Sequence, residues 1–141
     1  MKIMKICTLQ DTCGYGTGSI WIYLNGTKQG SYDSPFNNGR TPFISMDGIV
    51  YVFGFSPQGG IVVDNDKIII IDINGSQKPN KFGHDVFFLV RNEQADSITP
   101  YGADKGHNAI KNDCAATGSG MYCAAWIYQN GWNIPSGYPI K

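Results

Sequence analysis

Two intensely apolar runs, residues 68–73 (IIIIDI) and 86–90 (VFFLV), dominate the pattern of the chain. Both are rich in β-branched and aromatic side chains, which pack well on a pleated surface, so both are predicted strands. Neither alternates cleanly between apolar and polar positions, the pattern expected of strands covered on both faces. In and between them lie Asp72, Asn74, Gly75, Pro79, Asn80, Gly83 and Asp85, groups that turn a chain or present oxygens. This loop is expected to stand exposed, pinned at each end by a strand.

The flanking sequence yields weaker signals. Residues 1–9 (MKIMKICTL) carry apolar groups at 1, 3, 4, 6 and 9, compatible with the last turns of a helix entering from upstream. Residues 19–24 are a predicted strand ending at Asn25-Gly26, and 27–41 a long loop. Residues 42–46, the Asp47-Gly48 turn and residues 49–55 predict a β-hairpin. Residues 102–113 are expected to be loop. Ser119 can cap a short helix over 121–129, with Asn130-Gly131 as its stop. The tail carries Trp132, Ile134, Tyr138, Pro139 and Ile140, and is expected to dock against the sheet, with Trp132 and Tyr138 in the core.

Length and charge narrow the partners. A chain of 141 residues predicts one domain with a real core. Eleven cations balance eleven anions, so nucleic acid is disfavoured, because phosphate binding needs a basic surplus. The G-Y-G-T-G at residues 14–18 follows no strand and opens no clear helix, so it is not a nucleotide fingerprint.

The four cysteines, Cys7, Cys13, Cys114 and Cys123, form no C-x-x-C, and His84 and His107 lie far from a zinc-finger spacing. Two disulfides are therefore expected rather than a metal cluster, and with them an oxidising, extracytoplasmic setting. Proximity in sequence favours Cys7–Cys13 and Cys114–Cys123, although a cross pairing is allowed by sequence. No stretch approaches a membrane span, and no signal peptide is visible, so the true N-terminus is expected to lie upstream.

Several segments in order carry a resemblance: D-x-N-G-x-x-x-P-N-x-x-G-x-D-V-F-F from Asp72 to Phe88, the P-Y-G at Pro100, C…G-x-x-C-A-A-W-I from Cys114 to Ile127, and N-G-W-x-I-P-x-x-Y-P from Asn130 to Pro139. Together with M-D-G-I-V-Y-V-F from Met46, this order resembles the C-terminal globular domain of type IV pilin-like and pseudopilin-like proteins. The resemblance implies an α+β fold: a pilin-like antiparallel β-sheet with an N-terminal helix remnant and a short C-terminal helix. It further implies a non-enzymatic structural subunit of a pilus-like filament or type II secretion pseudopilus. Its partners would be other pilin-like subunits, and its contact with the membrane would run through an N-terminal helix that this sequence lacks.

Candidate chemistry is sparse. His84 and His107 belong to no recognisable triad or metal motif, and the carboxylates have no spacing that specifies an acid–base pair, so catalysis is not expected. Asp72, Asn74, Asn80 and Asp85 offer hard oxygen ligands around Gly75, which makes calcium the one cofactor to consider. The alternative is that Asp72 and Asn74 cap a turn with their own side chains. Tyr15, Tyr32, Phe36, Trp132 and Tyr138 are candidates for a sugar- or protein-binding patch. A secreted binding or adhesion module for carbohydrate or a surface protein therefore stands as the alternative to a filament subunit.

Overall fold

The computed structural model describes residues 3–7, 13–15, 21–28, 42–53, 68–92 and 94–139. The expectations for Tyr32 and Phe36 lie outside these residues. Six strands form one antiparallel sheet: β1 (Ile3–Ile6), β2 (Phe43–Ser45), β3 (Val50–Phe53), β4 (Ile68–Asp72), β5 (Val86–Asn92) and β6 (Ser97–Pro100). Each pairs with its neighbour in sequence, giving the order β1-β2-β3-β4-β5-β6. Two short helices follow, α1 (His107–Asp113) and α2 (Cys123–Gln129), and the fold is of the α+β class.

The register shows what the apolar runs do. Val52, Ile70 and Phe88 lie side by side across β3, β4 and β5, and Val50, Asp72 and Val86 form the next row on the same face. That face is closed by Trp21 and Phe82, with the Phe82 and Phe88 rings edge to face at 4.6 Å. The opposite face carries Tyr51, Ile71 and Phe87 in one row, all half-buried. Full coverage of both faces, expected from the unbroken apolar runs, is therefore corrected: β4 is buried on nearly every position, while β5 alternates. An apolar residue on the second face needs only partial cover to be stable there, so periodicity alone overstated the burial.

Two further expectations are corrected. The N-terminal helix remnant is instead strand β1, paired with β2 through Ile3↔Ser45, Lys5↔Ile44 and Ile6↔Phe43. A sheet edge supplies hydrogen-bond partners at once, whereas an isolated helical turn must overcome a costly nucleus. Residues 107–113, expected as loop, form α1, which hangs on one fully buried apolar residue, Ile110. Lys111 in its last turn suits the negative end of the helix dipole.

The β2–β3 hairpin forms as expected, with Gly48 at φ 86° and its N–H bonded to the Ser45 carbonyl. Helix α2 starts at Cys123, and Tyr122 rather than Ser119 is its N-cap. Asp113 organises the approach: its carboxylate accepts the Tyr122 N–H at 2.7 Å and the Ser119 hydroxyl at 2.5 Å. The disulfides join Cys7 to Cys13 and Cys114 to Cys123, with Cα separations of 5.6 and 4.8 Å. All four cysteines are buried. The second bridge, with Leu24, forms a small core against which Phe87, Trp126 and Tyr138 pack.

Candidate functional site

The loop proposed for calcium turns its candidate ligands inward, although Gln77, Lys78, Pro79 and His84 of the same loop are exposed. Asp72 is 1% exposed and Asp85 4%, and Asn80 is buried too. The Asp85 carboxylate accepts the backbone N–H groups of Asn80 at 2.8 Å and Lys81 at 2.5 Å, clamping the loop before β5. The Asn80 amide, with its nitrogen facing the chain, donates to the carbonyls of Gly75 at 3.1 Å and Gln77 at 2.9 Å. Asp72 accepts the Tyr15 hydroxyl at 2.8 Å and the backbone N–H groups of Asn74 and Gly75.

These oxygens thus serve the chain's own donors, the turn-capping arrangement weighed against calcium. Among the described residues no group of three or more His, Cys, Asp or Glu is placed to hold a metal ion. Burial pushes the Asp72 carboxyl up to about 7, the Tyr15 hydrogen bond works against that rise, and the nearby Asp85 charge adds to it. Tyr15, named as a surface aromatic, is instead a half-buried partner of this carboxyl.

The exposed chemistry lies at the end of α2. Cys123, Ala124 and Ala125 seat the helix, whose small side chains allow close approach. The helix ends where Asn130-Gly131 was expected to stop it: the Gly131 N–H bonds the Tyr128 carbonyl and the Trp132 N–H bonds the Ile127 carbonyl, both at 3.0 Å. This is the paired closure of a Schellman motif, and Gly131 at φ 70° supplies its left-handed residue. The next residue, Trp132, is left-handed as well, at φ 63°. For a bulky residue that conformation costs about 1–2 kcal/mol.

Trp132 gains little burial in return. It is 61% exposed, correcting the expectation that it lies in the core, whereas Tyr138 does dock, its hydroxyl donating to the Gly83 carbonyl at 2.5 Å. The Trp132 ring meets Tyr128 edge to face, with centroids 5.2 Å apart, and Tyr128 is itself 46% exposed. Ile134 beside them is 72% exposed. On the same helix Trp126 meets His107 of α1 with centroids 5.1 Å apart and the rings tilted by 49°, and the His107 Nδ1 lies 3.2 Å from the Gln129 Oε1. The Trp126 Nε1–H is buried and finds no acceptor among the described residues. Exposed Gln129, Asn130 and Asn133 neighbour these rings in sequence; the Asn130 amide donates to the Trp126 carbonyl at 2.8 Å and the Asn133 amide to the Asn130 and Gly131 carbonyls at 3.3 Å.

Of the residues named from sequence, only Trp132 belongs to this ledge, and its partner Tyr128 was missed; Trp126 and His107 form a separate pair, since residues two apart do not share a helix face. One signal could have found them: from Cys114 to Ile140 the sequence contains no Asp, Glu, Lys, Arg or His, yet it carries two tryptophans. A charge-free stretch that nonetheless shows aromatic rings to solvent is unusual for a surface. His84 is exposed in the central loop, away from this cluster in sequence. A separate cavity of about 440 Å³ lies over the β5–β6 hairpin, with Arg91, Asn92, Thr99 and Asp104 in its wall. The described residues lining it include no histidine, cysteine or serine.

A model of a family of unknown function, DUF6613, matches residues 77–141, a span that includes the Asp85 clamp, both helices and the aromatic ledge. No curated protein and no solved structure matches the chain. No helix among the described residues is long and apolar enough to cross a membrane.

Proposed function

We propose that this chain is an extracytoplasmic, non-enzymatic binding module that holds neutral carbohydrate on the ledge formed by Trp132, Tyr128 and the surrounding amides. The observation that carries this reading is Trp132, kept exposed in a left-handed conformation beside a second aromatic ring within a charge-free run. Strain at an exposed residue that gains little from packing is a mark of a functional position. The chemistry matches: an aromatic face is electron-rich and attracts the polarised C–H groups of a sugar ring. The exposed Asn130 and Asn133 side chains keep amide oxygens that can accept from sugar hydroxyls, their nitrogens being bonded to backbone carbonyls. Absence of charge disfavours polyanions, which bind through cationic groups. Two buried disulfides support an oxidising compartment.

The test is affinity measurement against a panel of soluble neutral and acidic polysaccharides. Neutral members should bind, and Trp132→Ala should weaken them about 30-fold, the effect of removing a central aromatic worth roughly 2 kcal/mol. Binding confined to acidic polymers, or unchanged in Trp132→Ala, would contradict the reading.

A second reading, a subunit of a pilus-like filament, draws on the other face of the sheet. Tyr51, Ile71 and Phe87 are only half-buried there and Phe53 is exposed, a surface that a packed helix would cover. Charged substitutions at Ile71 and Phe53 would then abolish assembly with pilin-like subunits while sparing polysaccharide binding.

A further inference from the structure

Tyr128 stands in the last turn of α2 and Trp132 beyond its end. Their rings lie edge to face, with centroids 5.2 Å apart and planes at 64°. The backbone under the indole is held: the Gly131 and Trp132 N–H groups both bond back to carbonyls of α2, at 3.0 Å. Two exposed rings at this angle make a corner rather than a strip. A ligand ring lying on one of them meets the other at its rim. Successive units of a sugar chain need successive platforms whose faces are aligned. The 64° angle removes that alignment, and 5.2 Å between centroids leaves no room for a second unit.

The aromatics around this corner offer no further platform, because each is engaged. Trp126 meets His107 with centroids 5.1 Å apart, and Tyr101 meets Tyr122 at 5.5 Å. Tyr138 is half-buried, its hydroxyl bonded to the Gly83 carbonyl. Phe53, the other strongly exposed aromatic among the described residues, belongs to the sheet and stacks on Phe43 at 5.4 Å.

We infer, resting on the carbohydrate reading above, that the Tyr128–Trp132 corner takes a single neutral pyranose ring, so that chain ends and short branches are held as tightly as long polymers. One aromatic face receives the C–H groups of the sugar, and the second ring shields its rim from water. The Asn130 and Asn133 amide oxygens remain as acceptors for hydroxyls, their nitrogens being bonded to backbone carbonyls. Further units of a chain find no ring to stack on. A polymer then gains affinity only where several copies of the protein act together.

Titration calorimetry on the intact chain tests this, using glucose, mannose and galactose beside neutral oligomers of each. For the sugar that binds, the monosaccharide and its oligomers should agree within about threefold. Tyr128→Ala should weaken binding about as much as Trp132→Ala, roughly 30-fold, because the corner needs both walls. Tyr128→Phe keeps the ring and should bind like the native chain. Affinity that climbs about tenfold or more from monosaccharide to oligomer would overturn the single-ring assignment. So would full binding by Tyr128→Ala beside weakened binding by Trp132→Ala. Either result leaves the carbohydrate reading standing, whereas no heat with any neutral sugar removes both. Should Tyr128→Ala fail to fold, the length series decides.

Discussion

Asp85→Asn isolates the interaction that holds the central loop. Asp85 and Asp72 are both buried carboxylates at the ends of this loop, yet neutralising Asp85 is expected to cost more than neutralising Asp72, whose burial disfavours its charged form. Asp85 accepts two backbone N–H groups, from Asn80 at 2.8 Å and Lys81 at 2.5 Å. Hydrogen bonds to a charged group contribute about 1.5–3 kcal/mol each. An Asn keeps one acceptor but places its amide nitrogen against the other N–H, so one bond is lost and a donor is left unpaired. Relief of repulsion with Asp72 offsets part of this loss. A net destabilisation of about 2–4 kcal/mol is expected for Asp85→Asn. At roughly 2–4 °C per kcal/mol, Tm should fall by roughly 5–15 °C, with the urea m-value unchanged. Asp72→Asn at pH 8 also strands one of the donors on this carboxyl, from Tyr15, Asn74 and Gly75, but it removes a charge that burial disfavours, so a smaller fall in Tm is expected. Thermal melts of both variants at pH 8 provide the check. A Tm change under about 2 °C for Asp85→Asn, or a comparable fall in both, would refute the distinction between the two carboxylates.

Other consequences are smaller in scope. Replacing Cys114 and Cys123 together by Ala should cost about 3 kcal/mol by releasing a short loop in the unfolded chain, measured by urea denaturation. Gly118→Ala should be severely destabilising, since its Cβ would lie 2.1 Å from the Asp113 carbonyl oxygen in rigid backbone; a near-native melt would show that this turn can shift. Trp132→Gly should keep or slightly raise Tm by relieving its left-handed strain while weakening polysaccharide binding as much as Trp132→Ala; a clear fall in Tm would mean that the ring is structural. Millimolar calcium or chelator should leave the melt unchanged, because the loop oxygens already serve N–H and hydroxyl donors.

Much of the sheet was legible because its signals are local. Isoleucine and valine runs, the Asp47-Gly48 turn and the Asn130-Gly131 stop each act within a few residues, and each stands where the sequence put it. The failures share a different cause. Residues 3–6 became a strand because β2 lay within reach, a tertiary effect that the apolar spacing of nine residues cannot show. Helix α1 has a single buried anchor, so no helical period was available to read. The fates of Tyr15 and Trp132 were exchanged. Tyr15 sits in a glycine-rich turn yet finds Asp72 across 57 positions, while Trp132 sits in an apolar tail yet is turned outward by two successive left-handed residues. Side-chain direction at a helix stop depends on cap geometry, which composition does not carry.

The most direct test of the binding reading is amide and indole NMR of the intact chain titrated with soluble neutral oligosaccharides. Saturable shifts are expected for the indole N–H of Trp132 and for the backbone of residues 128–134, with Phe88 in the core unmoved. Shifts centred instead on the cavity beside Arg91 and Thr99, or on the face carrying Tyr51 and Ile71, would contradict the assignment of the ledge. No shift with any neutral sugar would contradict the carbohydrate reading itself.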